Sequence, residues 1–209
     1  MNKQLFTVLI TIMVCSAGQV SAQEMQTLFD DDLTHGAFGG PIVKFDNIND
    51  EFGFWVGGRG GWIINFGDMH AVSLGGGGYG LTTNHEAPSP EDVDINSDAD
   101  ELFATTGYGG FILEYTNRSY QLVHMTANTL IGAGGLMIRE RHFEDVDEVP
   151  EAYFVFEPGL NAELNVTSFF RIAAGFNYRL TSGINKAGFR DSDFSGANAT
   201  LTLKFGYFR

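Results

Sequence analysis

The 209-residue chain has little cysteine, little proline and few basic residues, and these shortages narrow its possible functions. Its only cysteine, Cys15, lies in a segment expected to be removed, so the mature protein should have no disulfide and no cysteine metal site. Twelve Lys and Arg residues stand against 26 Asp and Glu residues, for a net charge of −14. This balance argues against binding to nucleic acid and against simple electrostatic docking on anionic lipid.

Long apolar runs are scarce, and the first one has the features of an export signal. Lys3 precedes an almost wholly apolar run from Leu5 to Cys15, and Val20-Ser21-Ala22 offers the small residues that signal peptidase requires. This pattern predicts a cleaved signal peptide over 1–22, followed by a flexible segment over 23–35 and one domain over 36–209. No later stretch approaches 18 uncharged apolar residues, which argues against a helical membrane protein.

Period-two alternation, with many β-branched and aromatic residues, predicts eight strands and no helix between them. Their expected bounds are 37–45, 52–64, 70–83, 103–116, 120–138, 152–165, 168–183 and 194–208. The connections after strands four and six are short, whereas those after strands three, five and seven are long and polar. This asymmetry predicts an all-β, up-and-down antiparallel barrel with short turns at one end and long loops at the other.

The two faces of these strands differ in a way that predicts which one faces inward. In the last strand, Leu201, Leu203, Phe205 and Tyr207 share one face and Lys204 lies on the other. The polar faces carry one or two charges among small residues, which suits a narrow closed lumen better than a solvated sheet face. Because Lys or Arg on lipid costs about 2–4 kcal/mol at the bilayer midplane, a membrane barrel turns its charged face inward. The predicted lumen charge network comprises Lys44, Arg59, Glu114, His124, Glu157, Glu163, Arg171, Arg179 and Lys204.

Two finer features follow from the same strand assignment. Aromatic residues near the strand ends predict interfacial belts, with Trp62, Tyr115, Phe170 and Tyr207 at one level and Phe54, Phe154 and Tyr178 at the other. A three-residue turn at Val166 to Ser168 predicts that Glu163 lies directly opposite Arg171.

Taken together, the signal peptide, the eight alternating segments, the loop asymmetry and the terminal "LTLKFGYFR" resemble the small eight-stranded outer-membrane β-barrel proteins of Gram-negative bacteria. Tyr207, Phe205, Leu203 and Leu201 occupy the third, fifth, seventh and ninth places from the end, as in that family. Arg209 departs from the terminal phenylalanine that the family usually has. The resemblance implies a transmembrane barrel with periplasmic turns and external loops.

The resemblance also implies partners, although it indicates location more than activity. It implies contact with outer-membrane lipids, lipopolysaccharide and the barrel-insertion machinery. The expected role is structural or interactive: a monomer that presents acidic loops to an unknown surface ligand.

Two other function classes remain open on the sequence alone. A secreted, soluble ligand-binding barrel of lipocalin type would turn the leucines of the last strand inward and leave Lys204 in water. A lipid A-modifying outer-membrane enzyme would need a nucleophile and a base, and the nearest candidates are His70 with Ser73 and His124 with Thr126. If His124 is instead a lumen residue, Glu114 is its expected neighbour.

Two further motifs suggest ligands. The glycines of "GGGGYGLTT" match a nucleotide-binding spacing, but no helix is predicted after them and Leu81 replaces the required lysine. Asp92, Asp94, Asn96, Asp98 and Asp100 place oxygen ligands at alternate positions, as a calcium loop does at its start. Because Ser97 replaces the turn glycine and Phe103 the closing glutamate, we expect no cofactor beyond weakly bound calcium at an external loop.

The acidic run leads to a prediction about ion selectivity. Millimolar calcium should screen these carboxylates and magnesium should act similarly, because a site without the turn glycine and the closing glutamate does not distinguish the two ions. Calorimetry on the folded barrel in detergent measures this. Saturable micromolar calcium binding that is abolished by Asp94→Ala and not competed by magnesium would contradict the prediction.

Overall fold

The computed structural model of the protein describes residues 33–67, 69–88, 102–140 and 149–208. The predicted signal peptide over 1–22, nearly all of the predicted flexible segment and the acidic run 92–100 lie outside the described residues.

Eight long strands form a closed antiparallel barrel in which chain neighbours pair and the first strand closes against the last. The barrel strands are β1 Thr34–Ile48, β2 Glu51–Phe66, β3 His70–Leu81, β4 Leu102–Asn117, β5 Val123–Glu140, β6 Glu151–Asn165, β7 Phe170–Ser182 and β10 Gly196–Tyr207. Between β7 and β10 lie the small hairpin β8 Asn185–Lys186 and β9 Phe189–Arg190, and the short helix α1 Asp191–Phe194. The predicted all-β, up-and-down, eight-stranded barrel is confirmed.

The structure corrects the sequence-based element assignments at two places. β1 begins at Thr34, within the segment expected to be flexible, because Thr34 to Gly36 continue the pairing of β1 with β2. The prediction of no helix is wrong at α1, where the backbone N–H of Arg190 donates to Asp193 Oδ2 over 2.8 Å. Acidic side chains in the first turn of a helix stabilise the positive end of the helix dipole. A pattern that identifies strands by alternation gives no sign of such a turn.

The two ends of the barrel differ in the length of their connections. At one end, called the turn end, the strands are joined by residues 67–69, 118–122 and 166–169. At the other end, called the loop end, they are joined by residues 49–50, 82–101, 141–150 and 183–195. The tight connection at the loop end is possible because Asn49 and Asp50 both adopt positive φ, of 49° and 65°.

The register between β6 and β7 differs from the predicted one. Glu163 pairs with Ala173, and Arg171 pairs with Asn165. Val166 and Thr167 both donate their backbone N–H groups to Phe170 O, which makes the turn longer than the three residues expected and shifts the register by two. Because a two-residue shift preserves the faces of a strand, Arg171 still lies inside the barrel.

Apolar side chains close the interior near both ends, and charged side chains occupy the space between them. The cluster that extends to the loop end includes Trp55, Leu136, Ile138, Phe189 and Phe194. The cluster at the turn end consists of Phe38, Ile63, Ala71 and Phe208. This arrangement follows from strand alternation, which sends every second side chain of each strand into the lumen.

Candidate functional site

The barrel interior holds five Lys and Arg side chains on four strands, and each is at most 8% exposed. They form two networks at different heights. The lower network, toward the turn end, consists of Arg59, Glu114, His124, Glu163, Arg171 and Lys204. The upper network, toward the loop end, consists of Lys44, Asp46, Tyr108, Glu157 and Arg179.

Lys204 is the centre of the lower network. Its Nζ donates to Glu114 Oε1 over 2.6 Å and also to Glu163 Oε1. Arg59 NH2 donates to the second oxygen of Glu114 over 2.7 Å. One ammonium therefore joins two carboxylates from β4 and β6, and one of those carboxylates joins a second cation on β2.

Glu163 contacts the remaining members of the lower network, His124 and Arg171. Its Oε2 lies 3.3 Å from His124 Nε2 and 3.7 Å from Arg171 NH1. Thr126 Oγ1 donates to Oε1 of the same carboxylate over 3.4 Å. The expectation that His124 lies beside Glu114 is wrong, because His124 and Glu163 are directly paired residues of β5 and β6.

The upper network is built around Glu157. Lys44 Nζ donates to Glu157 Oε1 over 2.6 Å and to the Tyr108 hydroxyl over 2.8 Å, and that hydroxyl donates to Glu157 Oε2 over 2.5 Å. The ring of Tyr79 lies against the same ammonium, 3.6 Å from Nζ to the ring centre. The cation is therefore held by a carboxylate, a hydroxyl and an aromatic face.

A second ion pair in the upper network joins Arg179 to Asp46, a residue that the sequence-based list does not contain. Asp46 also accepts from Trp55 Nε1 at 3.1 and 3.0 Å, and the Arg179 guanidinium stacks 4.5 Å from the Trp55 ring centre. The predicted first strand ended at residue 45. Ile42, Lys44 and Asp46 are alternate residues on the inward face of β1, so a prediction that extended the strand by one residue would have included Asp46.

The final connection folds into the mouth of the barrel at the loop end. Phe189 and Phe194 are 0% and 1% exposed and pack in the same cluster as Trp55. Arg179 Nε donates to the carbonyl of Phe194 over 2.6 Å, and the hydroxyl of Thr181 donates to the carbonyl of Asp191 over 2.8 Å. This segment, residues 183–195, is called the plug.

At the turn end, Phe208 lies outermost in the apolar cluster that it forms with Phe38, Ile63 and Ala71. Phe208 is 4% exposed, and the guanidinium of Arg171 stacks over its ring with 3.9 Å between Arg171 Cζ and the ring centre. Outside Phe208 an open cavity of about 840 Å³ is lined by Thr34, Asn65, Gly67, Met69, His70, Ser119 and Tyr120. Phe208 therefore covers the lower network at the turn end, as the plug covers the upper network at the loop end.

The two sequence-based catalytic pairs are not assembled for catalysis. His70 is exposed on the outer face, where its Nδ1 lies 2.7 Å from the Tyr115 hydroxyl, whereas Ser73 is buried inside. His124 and Thr126 are 4% and 1% exposed inside the barrel, and both contact the Glu163 carboxylate.

One histidine outside the barrel strands was not singled out by the sequence. His85 is 1% exposed at the loop end, with Nε2 2.9 Å from Thr83 Oγ1 and Nδ1 3.3 Å from Glu51 Oε2. Burial lowers the pKa of His85, although the charges of Glu51 and Asp46 act to raise it. Through its contacts with Thr83 and Glu51, the imidazole anchors residues 82–88 to the rim of the barrel.

Neither a metal cluster nor a membrane-spanning helix is present in the described ranges. Within 33–67, 69–88, 102–140 and 149–208, no three His, Cys, Asp or Glu side chains are placed to hold a metal ion. Over the same residues no helix has the length and apolarity needed to cross a membrane. The candidate calcium ligands Asp92 to Asp100 lie outside these ranges.

Comparison with known proteins gives structural similarity without sequence similarity. No family model and no curated protein matches the sequence. Neisserial surface protein A matches at a TM-score of 0.46 and 8% identity, over 85% of this chain and 99% of that one. The attachment invasion locus protein Ail of Yersinia pestis matches at 0.45 and 11%, over 83% and 97%. The N-terminal β-barrel domain of Pseudomonas aeruginosa OprF matches at 0.41 and 14%, over 83% and 97%.

The lower network predicts a large stability loss when Glu163 is neutralised. Glu163→Gln should lower the free energy of unfolding by about 3–5 kcal/mol, because Lys204 and Arg171 lose a buried carboxylate. Urea unfolding of the barrel in lipid vesicles measures this. The control is Glu86→Gln at an exposed position, which should change stability by less than about 0.5 kcal/mol. Equal unfolding midpoints for the two variants would contradict the prediction.

The closed ends predict negligible ion conduction by the native barrel. In a planar bilayer, single molecules should give no steady current, because side chains fill an eight-stranded lumen. The double variant Phe189→Ala, Phe194→Ala should give frequent brief openings, because the plug loses its apolar anchors. Phe52→Ala, at a 60% exposed position, is the matched control and should behave as the native protein does. Large, stable channels from the native monomer would refute the closed-lumen interpretation.

Proposed function

We propose that the chain is an outer-membrane β-barrel protein of a Gram-negative bacterium with a non-enzymatic structural or surface-interaction role. The observation that carries this proposal is the reversal of inside and outside relative to a water-soluble barrel. The interior contains paired charges, and most of the large side chains on the exterior are apolar. A soluble barrel of lipocalin type would place this apolar exterior in water.

The outer surface has the composition that lipid requires. Phe176, Leu160 and Phe111 are 73%, 61% and 53% exposed. Among the described barrel-strand residues that face outward, Arg139 is the one Asp, Glu, Lys or Arg, and it lies near the loop end. It bonds there to Thr105 and Asn84 over 2.6 and 2.8 Å. An outward surface without unpaired charge supports immersion in a bilayer.

Aromatic side chains flank this surface at two levels. Trp62, Tyr115 and Tyr207 are 48%, 42% and 67% exposed near the turn end. Phe154 and Tyr178 are 50% and 52% exposed near the loop end. Amphipathic rings favour the boundary between lipid and water, so these two belts support a barrel that crosses the bilayer with its axis roughly along the membrane normal.

The connection lengths support an orientation with the turn end in the periplasm. Bacterial barrels of this kind have short periplasmic turns and long external loops. In this orientation the connections 82–101 and 141–150, which carry seven and four acidic residues, lie at the cell surface together with the plug. The proposed partners are outer-membrane lipids, lipopolysaccharide, the barrel-insertion machinery and an unidentified surface ligand, and the protein acts as a monomer.

A charge placed on the outer face at mid-height tests membrane immersion. Leu160→Arg should lower the free energy of unfolding in lipid vesicles by about 2–4 kcal/mol, the cost of Arg on lipid near the midplane. On a soluble barrel, the same change at an exposed position would cost less than about 0.5 kcal/mol. Urea unfolding in vesicles of known thickness gives the measurement.

The control introduces the same arginine at a different depth in the membrane. Val123→Arg, at a 56% exposed position near the turn end, should cost about 0–1 kcal/mol, because the penalty falls toward the interface. Equal costs at the two positions would count against immersion. Recovery of the exported protein from the soluble periplasmic fraction would overturn the proposed location.

A further inference from the structure

A second cavity at the turn end, called the turn-end pocket, lies between the turns 118–122 and 166–169 and the end of β10. Its volume is about 430 Å³, within the range of about 300–1,000 Å³ that small-molecule sites in proteins occupy. Its lining residues are Ser119, Tyr120, Asn165, Thr167, Ser168, Phe169, Arg171, Gly206, Tyr207 and Phe208.

Hydrogen bonds hold the walls of the turn-end pocket in place. Asn165 Nδ2 donates to the carbonyls of Ser119 and Gln121 over 2.9 and 2.6 Å, which fastens the turn 118–122 to the end of β6. Gly206 donates its backbone N–H to the carbonyl of Phe169 over 2.9 Å, which fastens the turn 166–169 to β10. A ligand therefore meets a preformed site, and its binding does not have to order the two turns.

The inner wall of the pocket is positively charged and offers hydrogen-bond donors. Arg171 is 7% exposed there, and its NH2 donates to Ser119 Oγ over 3.0 Å. Thr167 Oγ1 accepts from the backbone N–H of Phe169 over 3.3 Å. Because both hydroxyl oxygens act as acceptors in these bonds, each hydroxyl keeps its own hydrogen to donate into the pocket. None of the described lining residues is Asp or Glu.

The charge balance of the lower network favours an anion at this wall. Among its members, three Lys and Arg side chains stand against two Glu side chains. Arg171 is the cation of this set that lines the turn-end pocket. Phosphate carries negative charge and accepts several hydrogen bonds, and arginine with hydroxyl donors is a common way to bind it. The inner wall therefore has the chemistry of a phosphate site.

The outer rim of the pocket is aromatic instead. Tyr120, Phe169 and Tyr207 are 54%, 59% and 67% exposed. The rim continues into the outward face of the barrel, where the rings of Phe170 and Phe205 stack with 4.8 Å between their centres. A ligand in the pocket thus meets polar groups on one side and apolar groups on the other. An amphipathic molecule with a phosphate at its polar end matches both walls.

We propose that the turn-end pocket binds the phosphate headgroup of a membrane phospholipid, with the acyl chains along Phe170 and Phe205. Basic pockets of membrane proteins recognise lipid headgroups by the same chemistry. The proposal rests on the proposed membrane location, because acyl chains lie against the outer face only if that face is in a bilayer. It gives one lipid molecule a defined position at the turn end.

Titration with a short-chain lipid tests the site on the full folded barrel. In the uncharged detergent dodecyl maltoside, diheptanoyl phosphatidylglycerol should shift the amide resonances of Thr167 and Ser168 and reach saturation. Diheptanoyl glycerol lacks the phosphate and inorganic phosphate lacks the chains, so each should need concentrations higher by about tenfold or more.

Three results of this titration would overturn the proposal. The first is that phosphatidylglycerol gives no saturable shift. The second is that diheptanoyl glycerol acts at the same concentration, which would show that the pocket is an apolar groove only. The third is that inorganic phosphate acts at the same concentration, which would show that the site does not select a lipid.

Substitutions identify the pocket as the place of binding. Thr167→Val and Ser119→Ala should each weaken phosphatidylglycerol binding about fivefold, as the loss of one hydrogen bond implies. Thr82→Val is the matched control and should leave the affinity unchanged, since the Thr82 hydroxyl donates to the carbonyl of Phe54 at the loop end over 2.7 Å. Weakening by all three variants or by none would overturn the assignment to this pocket.

Failure of this proposal is distinguishable from failure of the proposed function. A barrel that shows the depth-dependent cost of arginine on its outer face, but does not bind phosphatidylglycerol, would contradict the lipid site and leave the membrane location intact. A barrel without that cost would contradict both.

Discussion

The protein depends on one constraint: its charges must be buried and therefore must be paired. An ionised side chain removed from water without a partner costs several kcal/mol. The barrel meets this requirement by bringing cations and carboxylates together from strands far apart in sequence. Lys204 and Glu114 are separated by 90 residues, and Arg179 and Asp46 by 133. These pairs can form only when the barrel is closed, because each joins strands on different sides of the lumen.

The narrow lumen sets a second requirement, which is met by glycine. A Cβ on Gly77 would lie 2.7 Å from the Tyr79 hydroxyl and 3.0 Å from a methyl of Ile112. The space that Gly77 leaves lets the Tyr79 ring lie against Lys44. Small inward residues therefore accommodate the aromatic rings that cover the charges. The inward glycines and the buried ion pairs therefore depend on each other. Long charged and aromatic side chains fit inside a small barrel only where neighbouring residues have no side chain.

The sequence was sufficient for those features that depend on period-two alternation alone. It predicted eight strands, their direction and which residues share a face, and the cost of charge on lipid then predicted that Lys44, Glu163 and Lys204 point inward. It failed where pairing partners matter. The β6–β7 register differed by two residues, and His124 lies beside Glu163 rather than Glu114. Register depends on turn geometry, and two registers that differ by two residues bury the same face, so the pattern cannot separate them.

The plug was missed for a different physical reason. Its residues form two very short strands and one helical turn, none long enough to show a period. What orders them is tertiary contact: Phe189 and Phe194 enter the apolar cluster of the mouth, and Arg179 holds the backbone of Phe194. A signal was available in the sequence, since two phenylalanines in a polar connection between strands need a buried place. The interior polar groups therefore hold both the barrel wall and the plug in place.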